Sequence, residues 1–262
     1  MYHKLKEHFS DTVEFVADIK DLPVTRTKDY LYIEKRCWED MTQEIYDRLN
    51  EYKMVFMCLA PDHFVRLPLP ALVDIPEPSD FQSRDIDVFF CGEGTKSFNW
   101  INDGAGVVCE VGTWTRHKML VEALTLTDRK CVLLPQKGFG GKVVGKDYTD
   151  FLNRTKIALC PRGSVYESYR MTEAALCGCI VVTTPPDASM HRFGSKKIPW
   201  YFEDAPIVVV DQNWSNLKEV LDGLTPDIML EIHQKTLKWA KECLSEDAME
   251  TLVRKYVTTN RV

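Results

Sequence analysis

The sequence predicts an α/β fold built on parallel β-sheet. Short apolar segments alternate along the chain with segments of helical periodicity, and brief polar connections separate them. Several of the apolar segments are continuous, as in KMVFMCLA at 53–60 and KIALCP at 156–161, which is typical of strands buried on both faces. Hydrophobic residues make up 45% of the 262 residues, enough to build a packed core.

The N-terminal part, up to a cluster of prolines, contains strands and one clear helix. Met41, Ile45, Leu49 and Tyr52 fall on one face of the segment 38–52, which predicts a helix there. Strands are predicted at 12–19, 29–34 and 53–60. Four prolines at 68–78 then resist both helix and sheet, which favours an extended linker or a segment that lines a cleft.

The second part of the chain alternates more regularly. Strands are predicted at 87–92, 130–135, 156–161, 179–184 and 206–211. Helices are predicted at 116–127, 146–155 and 167–178, and again in the tail, including 230–244. Such alternation predicts a doubly wound parallel sheet, whose ligands bind beyond the carboxyl ends of the strands. The loops at 92–116, 135–146, 161–170 and 184–200 are therefore the ones expected to carry function.

Charge and cysteine content limit the classes of function. The net charge of −6 argues against a nucleic-acid partner, which would favour a basic face. The nine cysteines are an odd number, and Cys177 and Cys179 are one residue apart, which is not the spacing of a zinc or redox pair. We expect buried thiols in a reducing compartment. With no signal peptide and no apolar stretch near the ~18 residues of a membrane helix, we expect a cytoplasmic chain without an anchor.

The segment 157–182, IALCPRGSVYESYRMTEAALCGCIVV, has the features of an anion site. Arg162 follows a buried strand, and the helix predicted to start near Glu167 and Ser168 points its free N–H groups toward the same edge. Arg162 and Arg170 can add charge-assisted hydrogen bonds to a diphosphate. Glu173, about one turn after Arg170, can accept hydrogen bonds from both hydroxyls of a ribose. The same spacing also fits a surface ion pair between Arg170 and Glu173.

Two segments together resemble the exostosin-like glycosyltransferases. CPRG, followed by ESYRMTEAALCGCIVV, is similar to that family's donor segment, and DVFFCG followed by RHKML at 116–120 is similar to its upstream segment. Valine at 181 stands where the family usually has proline. The two segments have the family's order and spacing and cover about half of the chain. The resemblance implies a GT-B-like fold, in which two Rossmann-like domains face each other, here with a shortened N-terminal domain.

The resemblance also implies a donor site and a division into domains. Arg116 and Arg162 would contact the diphosphate and Glu173 the ribose, while the phosphate end would be shaped by Gly163, Glu167, Ser168 and Arg170. A surface arginine at a helix start remains an alternative for Arg116. The acceptor-side domain is expected at 1–80, the nucleotide-sugar domain at 81–230, and C-terminal helices that pack back on the first domain at 231–262.

The catalytic base and the metal are separate questions. A base is expected on the N-terminal domain, and the candidates are Asp62, His63 and Asp74, with Asp18 and Glu34 as rivals.

Loop residues expected to touch a sugar are Phe98, Trp100, Trp114, Tyr166, His191 and Arg192. Asp85-Ile86-Asp87 precedes a strand instead of following one, so we expect no metal site there and no essential metal.

Three functions fit these expectations. The first is inverting transfer of a sugar from a UDP-sugar to a glycan hydroxyl. UDP-xylose is among the possible donors, and no cofactor is expected besides the donor. The second is a sugar-nucleotide-modifying enzyme such as an epimerase, which would need no acceptor. The third is a non-catalytic subunit that binds a nucleotide sugar. The sequence does not indicate the oligomeric state.

Overall fold

The computed structural model describes residues 3–33, 42–58, 64–93, 111–136, 146–162, 166–185 and 198–259. The chain forms two compact units. The first consists of Met1–Pro70, Ala188–Glu203 and Lys241–Val262, and the second of Ala71–Asp187 and Asp204–Ala240. Each unit is built on its own parallel sheet, so the predicted α/β class is confirmed.

The first unit has a four-stranded parallel sheet in the order β1-β2-β3-β4. Its elements are α1 (His3–Phe9), β1 (Val13–Val16), β2 (Tyr30–Ile33), α2 (Gln43–Leu49), β3 (Met54–Cys58), β4 (Val65–Leu67) and α8 (Glu246–Thr259). Leu31, Val55 and Met57 are fully buried beneath Leu49 of α2. The predicted strands and helix are confirmed, with α2 starting at Gln43 after an N-cap at Thr42. Residues 38–41 lie outside the described part.

The second unit has a five-stranded parallel sheet in the order β6-β5-β7-β8-β9. Its strands are β5 (Ile86–Glu93), β6 (Cys131–Gln136), β7 (Thr155–Leu159), β8 (Ile180–Thr183) and β9 (Val208–Val209). Its helices are α3 (Val111–Ala123), α4 (Lys146–Asn153), α5 (Tyr169–Leu176), α6 (Leu217–Asp222) and α7 (Pro226–Trp239). β6 lies on one side of β5, and β7, the next strand along the chain, lies on the other side. The direction of strand addition therefore reverses between β5 and β7, which makes this the switch point.

The core of the second unit explains its continuous apolar strands. Val88, Ile157 and Ile180 lie in neighbouring strands and are at most 1% exposed. They pack with Met119 of α3 and with Trp214 in one cluster. The opposite face is also covered, since Phe89 stacks on Phe151 of α4 with ring centroids 5.6 Å apart. Burial on both faces is why these strands are apolar throughout.

The Asp85-Ile86-Asp87 motif lies at the amino end of β5. Its two carboxylates are paired with lysine and arginine side chains of the protein itself. Asp85 bonds Arg154 at 2.6 Å and Lys130 at 2.5 Å, and these hydrogen bonds hold the pKa of Asp85 far below its usual value. Asp87 bonds Lys156 at 2.9 Å. The motif therefore ties together three strand ends at the edge opposite to the expected ligand loops.

The described cysteines are free thiols, most of them buried. Burial raises the pKa of Cys160 and of Cys179 to about 12. Arg84, itself 3% exposed, donates to the carbonyl oxygens of Thr155 and Cys177 at 2.7 Å and holds the turn after α5. The expectation of buried thiols is confirmed for Cys58, Cys91 and Cys160, which pack as small hydrophobic side chains.

Helix α5 ends at a glycine that the surrounding structure requires. Gly178 has φ +71°, and the N–H of Cys179 bonds to the carbonyl of Ala174 at 2.8 Å, as in a Schellman motif. A Cβ at position 178 would lie 2.8 Å from Leu237 and 2.9 Å from His233 of α7. Both the backbone conformation and the close packing therefore exclude a side chain here.

We expect Gly178→Ala to lower the free energy of unfolding by about 2 kcal/mol, because it adds left-handed strain and a clash. Gly223→Ala is the matched control, since Gly223 ends α6 with φ −73° and a Cβ there would meet nothing nearer than 3.4 Å. Urea unfolding of both variants provides the measurement. Equal stability of the two variants would contradict this account of the α5 terminus.

Candidate functional site

Three arginines lie at the carboxyl edge of the second sheet. Arg116 comes from α3, Arg162 follows β7 by three residues, and Arg170 is in the first turn of α5. These are the elements that meet at the switch point between β5 and β7. The structure thus brings Arg116 against the segment 157–182, which carries Arg162 and Arg170.

Arg170 is fixed across the end of β5. Its Nε donates to the carbonyl oxygen of Cys91 at 2.7 Å, and its guanidinium lies over the ring of Phe90, 4.9 Å from the centroid. Gly92 makes this path possible, because a Cβ there would lie 3.0 Å from Cζ of Arg170 and would overlap Nη2. Gly92 also has φ +147°, which side chains rarely adopt. The glycine at the strand end is therefore required by the arginine.

Arg116 lies against the same edge and bonds only to main-chain oxygens in the described part of the site. Its Nε donates to the carbonyl of Arg162 and its Nη1 to the carbonyl of Glu93, both at 3.1 Å. Burial, and next the charge of Arg170, lower the pKa of Arg116 to about 10. Arg116 is still a cation at neutral pH. The alternative of a surface arginine at a helix start is wrong, because the side chain is partly buried and bonded to two strand ends.

Arg162 is the most deeply buried of the three arginines, at 1% exposure. Tyr166 and Glu167, just before α5, are also buried, at 4% and 2%. Burial raises the pKa of Tyr166, and both Arg162 and Glu167 act on it electrostatically, so each of these two charged groups lies near Tyr166. Glu167 is thus buried near Tyr166 and does not face solvent.

The N-terminus of α5 is not closed by its own cap. Ser168 has the extended backbone of an N-cap residue, yet its hydroxyl makes no capping hydrogen bond. Among the described residues its Oγ is buried without a hydrogen-bond partner, and so are the hydroxyls of Thr183 and Thr184 at the end of β8. A buried hydroxyl without a partner is costly, and a phosphate oxygen could supply one.

Glu173 is buried on the second turn of α5 and is bonded by two protein donors. Its Oε1 accepts from the main-chain N–H of Leu72 at 3.0 Å, and its Oε2 accepts from the hydroxyl of Tyr148 at 2.9 Å. At 5% exposure, Glu173 does not form the surface ion pair with Arg170 that the spacing left open, so that alternative is wrong. Each carboxylate oxygen retains capacity for a further hydrogen bond.

The remaining sequence-predicted residues are distributed as follows. Asp74 is exposed in the segment that precedes β5. Asp18, a rival base, caps a short 3-10 helix in the first unit and accepts from Lys20 N–H at 3.2 Å. The positions of Glu34, Asp62, His63, Phe98, Trp100, Gly163, His191 and Arg192, and the side chain of Trp114, lie outside the described part.

Sequence reasoning missed several residues of this edge. Tyr148 and Leu72 hold Glu173, Gly92 admits Arg170, and Thr183 and Thr184 carry buried hydroxyls. The threonines could have been found, because they end a predicted strand at its carboxyl side. Leu72 could not, because it acts through its main-chain N–H and no residue type specifies that contact.

Comparison with known proteins assigns the family. A family model described as glycosyl transferase-like matches residues 107–253, which is more than half of the chain. The chain belongs to this glycosyl transferase-like family. The match includes Arg116, Arg162, Arg170 and Glu173, so the candidate site lies inside the family region of this glycosyltransferase-like chain.

Other proteins are similar to parts or all of this glycosyltransferase-like chain. A probable glycosyltransferase of Arabidopsis thaliana is 28% identical over 99 residues, which are 36% of this chain and 17% of the plant protein. A glycosyltransferase from Rickettsia africae gives a TM-score of 0.54 at 8% identity, over 98% of this chain and 78% of its own. TarM gives 0.54 at 10%, over 100% and 57%.

A further solved structure is Anabaena HepE in complex with UDP and glucose, with a TM-score of 0.51 at 10% identity over 88% of this chain and 78% of its own. At such low identity these likenesses concern the fold. With the two parallel-sheet units, they confirm the GT-B-like fold expected from the sequence. Within the described residues, no helix combines the length and the apolar character that crossing a membrane requires.

We expect Gly92→Ala to weaken binding of inorganic pyrophosphate by about tenfold or more, because it displaces Arg170 and removes a charge-assisted hydrogen bond. Calorimetric titration measures the effect, with Gly223→Ala as the control glycine far from the arginines in sequence. A Gly92→Ala protein that folds normally and binds pyrophosphate like the wild type would show that Arg170 does not hold the anion.

Proposed function

We propose that this chain transfers a sugar from a nucleoside diphosphate sugar, UDP-linked, to a hydroxyl group of a glycan. The observation that carries the proposal is the set of three arginines at the switch point, next to the open N-terminus of α5. In the described contacts Arg116 and Arg170 bond to main-chain carbonyls, which fix a guanidinium in place without neutralising it. A diphosphate supplies the negative charge that such a site favours.

The donor would lie along α5. Arg162 and Arg116 would bind the diphosphate, with Ser168 and the first N–H groups of the helix on its oxygens, and Gly163, Glu167 and Arg170 would shape this end of the site. Glu173, one turn further, would accept hydrogen bonds from the ribose hydroxyls, since Tyr148 and Leu72 already fix the orientation of its carboxylate. The proposed division is a donor domain at residues 81–230 and an acceptor side at residues 1–80, from which the main chain of Leu72 reaches Glu173.

The chemistry follows from the charge of the site. When the sugar–phosphate bond breaks, negative charge grows on the leaving diphosphate, and the arginines would stabilise it. We therefore propose that no divalent metal is essential. Transfer with inversion needs a base on the acceptor hydroxyl, opposite the leaving group. Asp62, His63 and Asp74 remain the proposed candidates.

Two likenesses support the identity of the donor. HepE, similar in fold, was solved with UDP and glucose. The sequence segments around Arg116 and Arg162 resemble those of exostosin-like glycosyltransferases, a family that uses mainly UDP-linked donors. The sugar itself is open, and UDP-xylose is one donor to test first, beside UDP-hexoses and GDP-sugars.

The decisive experiment measures release of UDP from each donor, with and without a collection of glycan acceptors. We expect release that depends on an acceptor. Turnover of the donor without any acceptor would instead indicate a sugar-nucleotide-modifying enzyme such as an epimerase. Binding of UDP with no release under any condition would indicate a non-catalytic subunit.

We expect Arg162→Met to lower turnover by about a hundredfold, because a cation on the leaving group contributes mainly in the transition state. Arg129→Met is the matched control, since Arg129 bonds Leu221 O at 2.9 Å and Asp222 at 3.1 Å within the same unit. The control should retain turnover, and thermal melting of both variants reports on folding. If both variants lose activity equally, Arg162 has no specific role in transfer.

We expect a chelator such as EDTA to leave the rate of UDP release within about twofold of its untreated value, because arginines and a helix terminus supply the positive charge. The assay compares chelated protein with protein supplied with Mg²⁺ or Mn²⁺. Loss of activity on chelation that is restored by Mn²⁺ would overturn the metal-independent mechanism.

A further inference from the structure

Residues 71–80 form the segment between the N-terminal stretch of the first unit and β5. This segment lies against the candidate donor site. The N–H of Leu72 donates to Oε1 of Glu173 at 3.0 Å, although the two residues are 101 positions apart. Both residues belong to the second unit. This contact places the main chain of residue 72 at the carboxylate that, under the proposed function, holds the ribose.

The carboxylate of Glu173 is held firmly by the protein. Tyr148 donates to its second oxygen at 2.9 Å, and Tyr148 itself is packed in α4 with its ring 6.1 Å from that of Phe89. Burial, and next the charge of Glu173, raise the pKa of Tyr148 well above its usual value, so the hydroxyl keeps its proton. Glu173 is therefore fixed relative to Leu72 by groups on both sides.

The other end of the segment is held as well. Ser79 N–H donates to Oδ1 of Asn153 at 2.7 Å, and Nδ2 of Asn153 donates to the carbonyl of Glu77 at 3.2 Å. Arg84 also donates to the carbonyl of Ser79 at 3.2 Å. Asn153 is the last residue of α4, so the helix that holds this end of the segment also carries Tyr148, which fixes Glu173 at the other end. Pro76 and Pro78 lie between the anchors and restrict its backbone further.

Leu72 presents an apolar side chain at this position. It is 49% exposed, while Glu173 beside it is 5% exposed. Its Cβ is only two bonds from the nitrogen that contacts Glu173, so the side chain lies within van der Waals reach of a ribose held by that carboxylate. Nucleotide pockets combine a few polar groups with apolar walls that cover the faces of the sugar and the base. The polar groups of the proposed nucleoside site lie on α5, and Leu72 offers an apolar surface beside them.

We infer that Leu72, held at Glu173 by its main-chain N–H, forms one wall of the nucleoside subsite and packs on the ribose and base of the donor. The inference rests on the proposed function, because it takes Glu173 as the ribose ligand. It adds a specificity-determining residue outside α5 and separates two parts of the site. Leu72 acts on the nucleoside alone, while the arginines act on the diphosphate.

The test is calorimetric titration of Leu72→Ala with UDP and with inorganic pyrophosphate. The main-chain N–H remains in this variant, so the bond to Glu173 is retained and only the apolar contact is lost. From the area of half a leucine side chain we expect the Kd for UDP to rise by about fivefold to tenfold and the Kd for pyrophosphate to stay within about twofold. Leu124→Ala, which removes a leucine that is 72% exposed in the same unit, should change neither value.

The outcomes separate this inference from the function on which it rests. Unchanged binding of UDP by Leu72→Ala, or equal weakening of UDP and pyrophosphate, overturns the nucleoside wall while leaving the function in place. Glu173→Gln is titrated in parallel and should weaken UDP more than pyrophosphate. If Glu173→Gln binds both ligands like the wild type, or if the wild type binds neither ligand, the ribose or donor assignment itself fails and the wall fails with it.

Discussion

The candidate site depends on cations that are held by main-chain carbonyls. Arg170 bonds to Cys91 O, and Arg116 bonds to Glu93 O and Arg162 O. A carbonyl fixes a guanidinium in place but, unlike a carboxylate, does not neutralise it. The charges of Arg116 and Arg170 therefore remain close together, and the charge of Arg170 adds to burial, the larger cause, in lowering the pKa of Arg116. An anion bound there would relieve the repulsion between these charges. The strand ends that position the arginines therefore also favour the binding of an anionic ligand.

Helix α5 shows the same logic in the contrast between its two ends. Its C-terminus is satisfied within the protein, by the bonds around Gly178 and by Arg84 on the Cys177 carbonyl. Its N-terminus has a residue of capping type, Ser168, whose hydroxyl caps nothing. Both ends belong to one eight-residue helix, so this difference is not a property of helices in general. Within the described residues, it is the hydroxyl of Ser168, at the end directed at the sheet's carboxyl edge, that has no hydrogen-bond partner.

The sequence predicts the strands and the arginines well, for physical reasons. A strand buried on both faces must be apolar throughout, so KIALCP and CIVVTT are recognisable without tertiary information. Arg162 and Arg170 follow from the rule that parallel strands end at one edge. Short or distant features do not follow: β4 has only three residues, and α1 was also missed. The bonds from Leu72 and Tyr148 to Glu173 join positions far apart in the chain, which no local pattern encodes.

The buried thiols have a consequence for how this molecule can be observed. Cys58 lies in the sheet of the first unit, whereas Cys160 and Cys179 lie in the second, and all three are at most 1% exposed. A thiol enclosed in a packed core reacts with alkylating reagents only when its surroundings open. Each unit therefore carries a native thiol whose rate of alkylation reports how often its surroundings open. Mass spectrometry of the alkylated peptides would show which half of the molecule opens first, without the introduction of a foreign label.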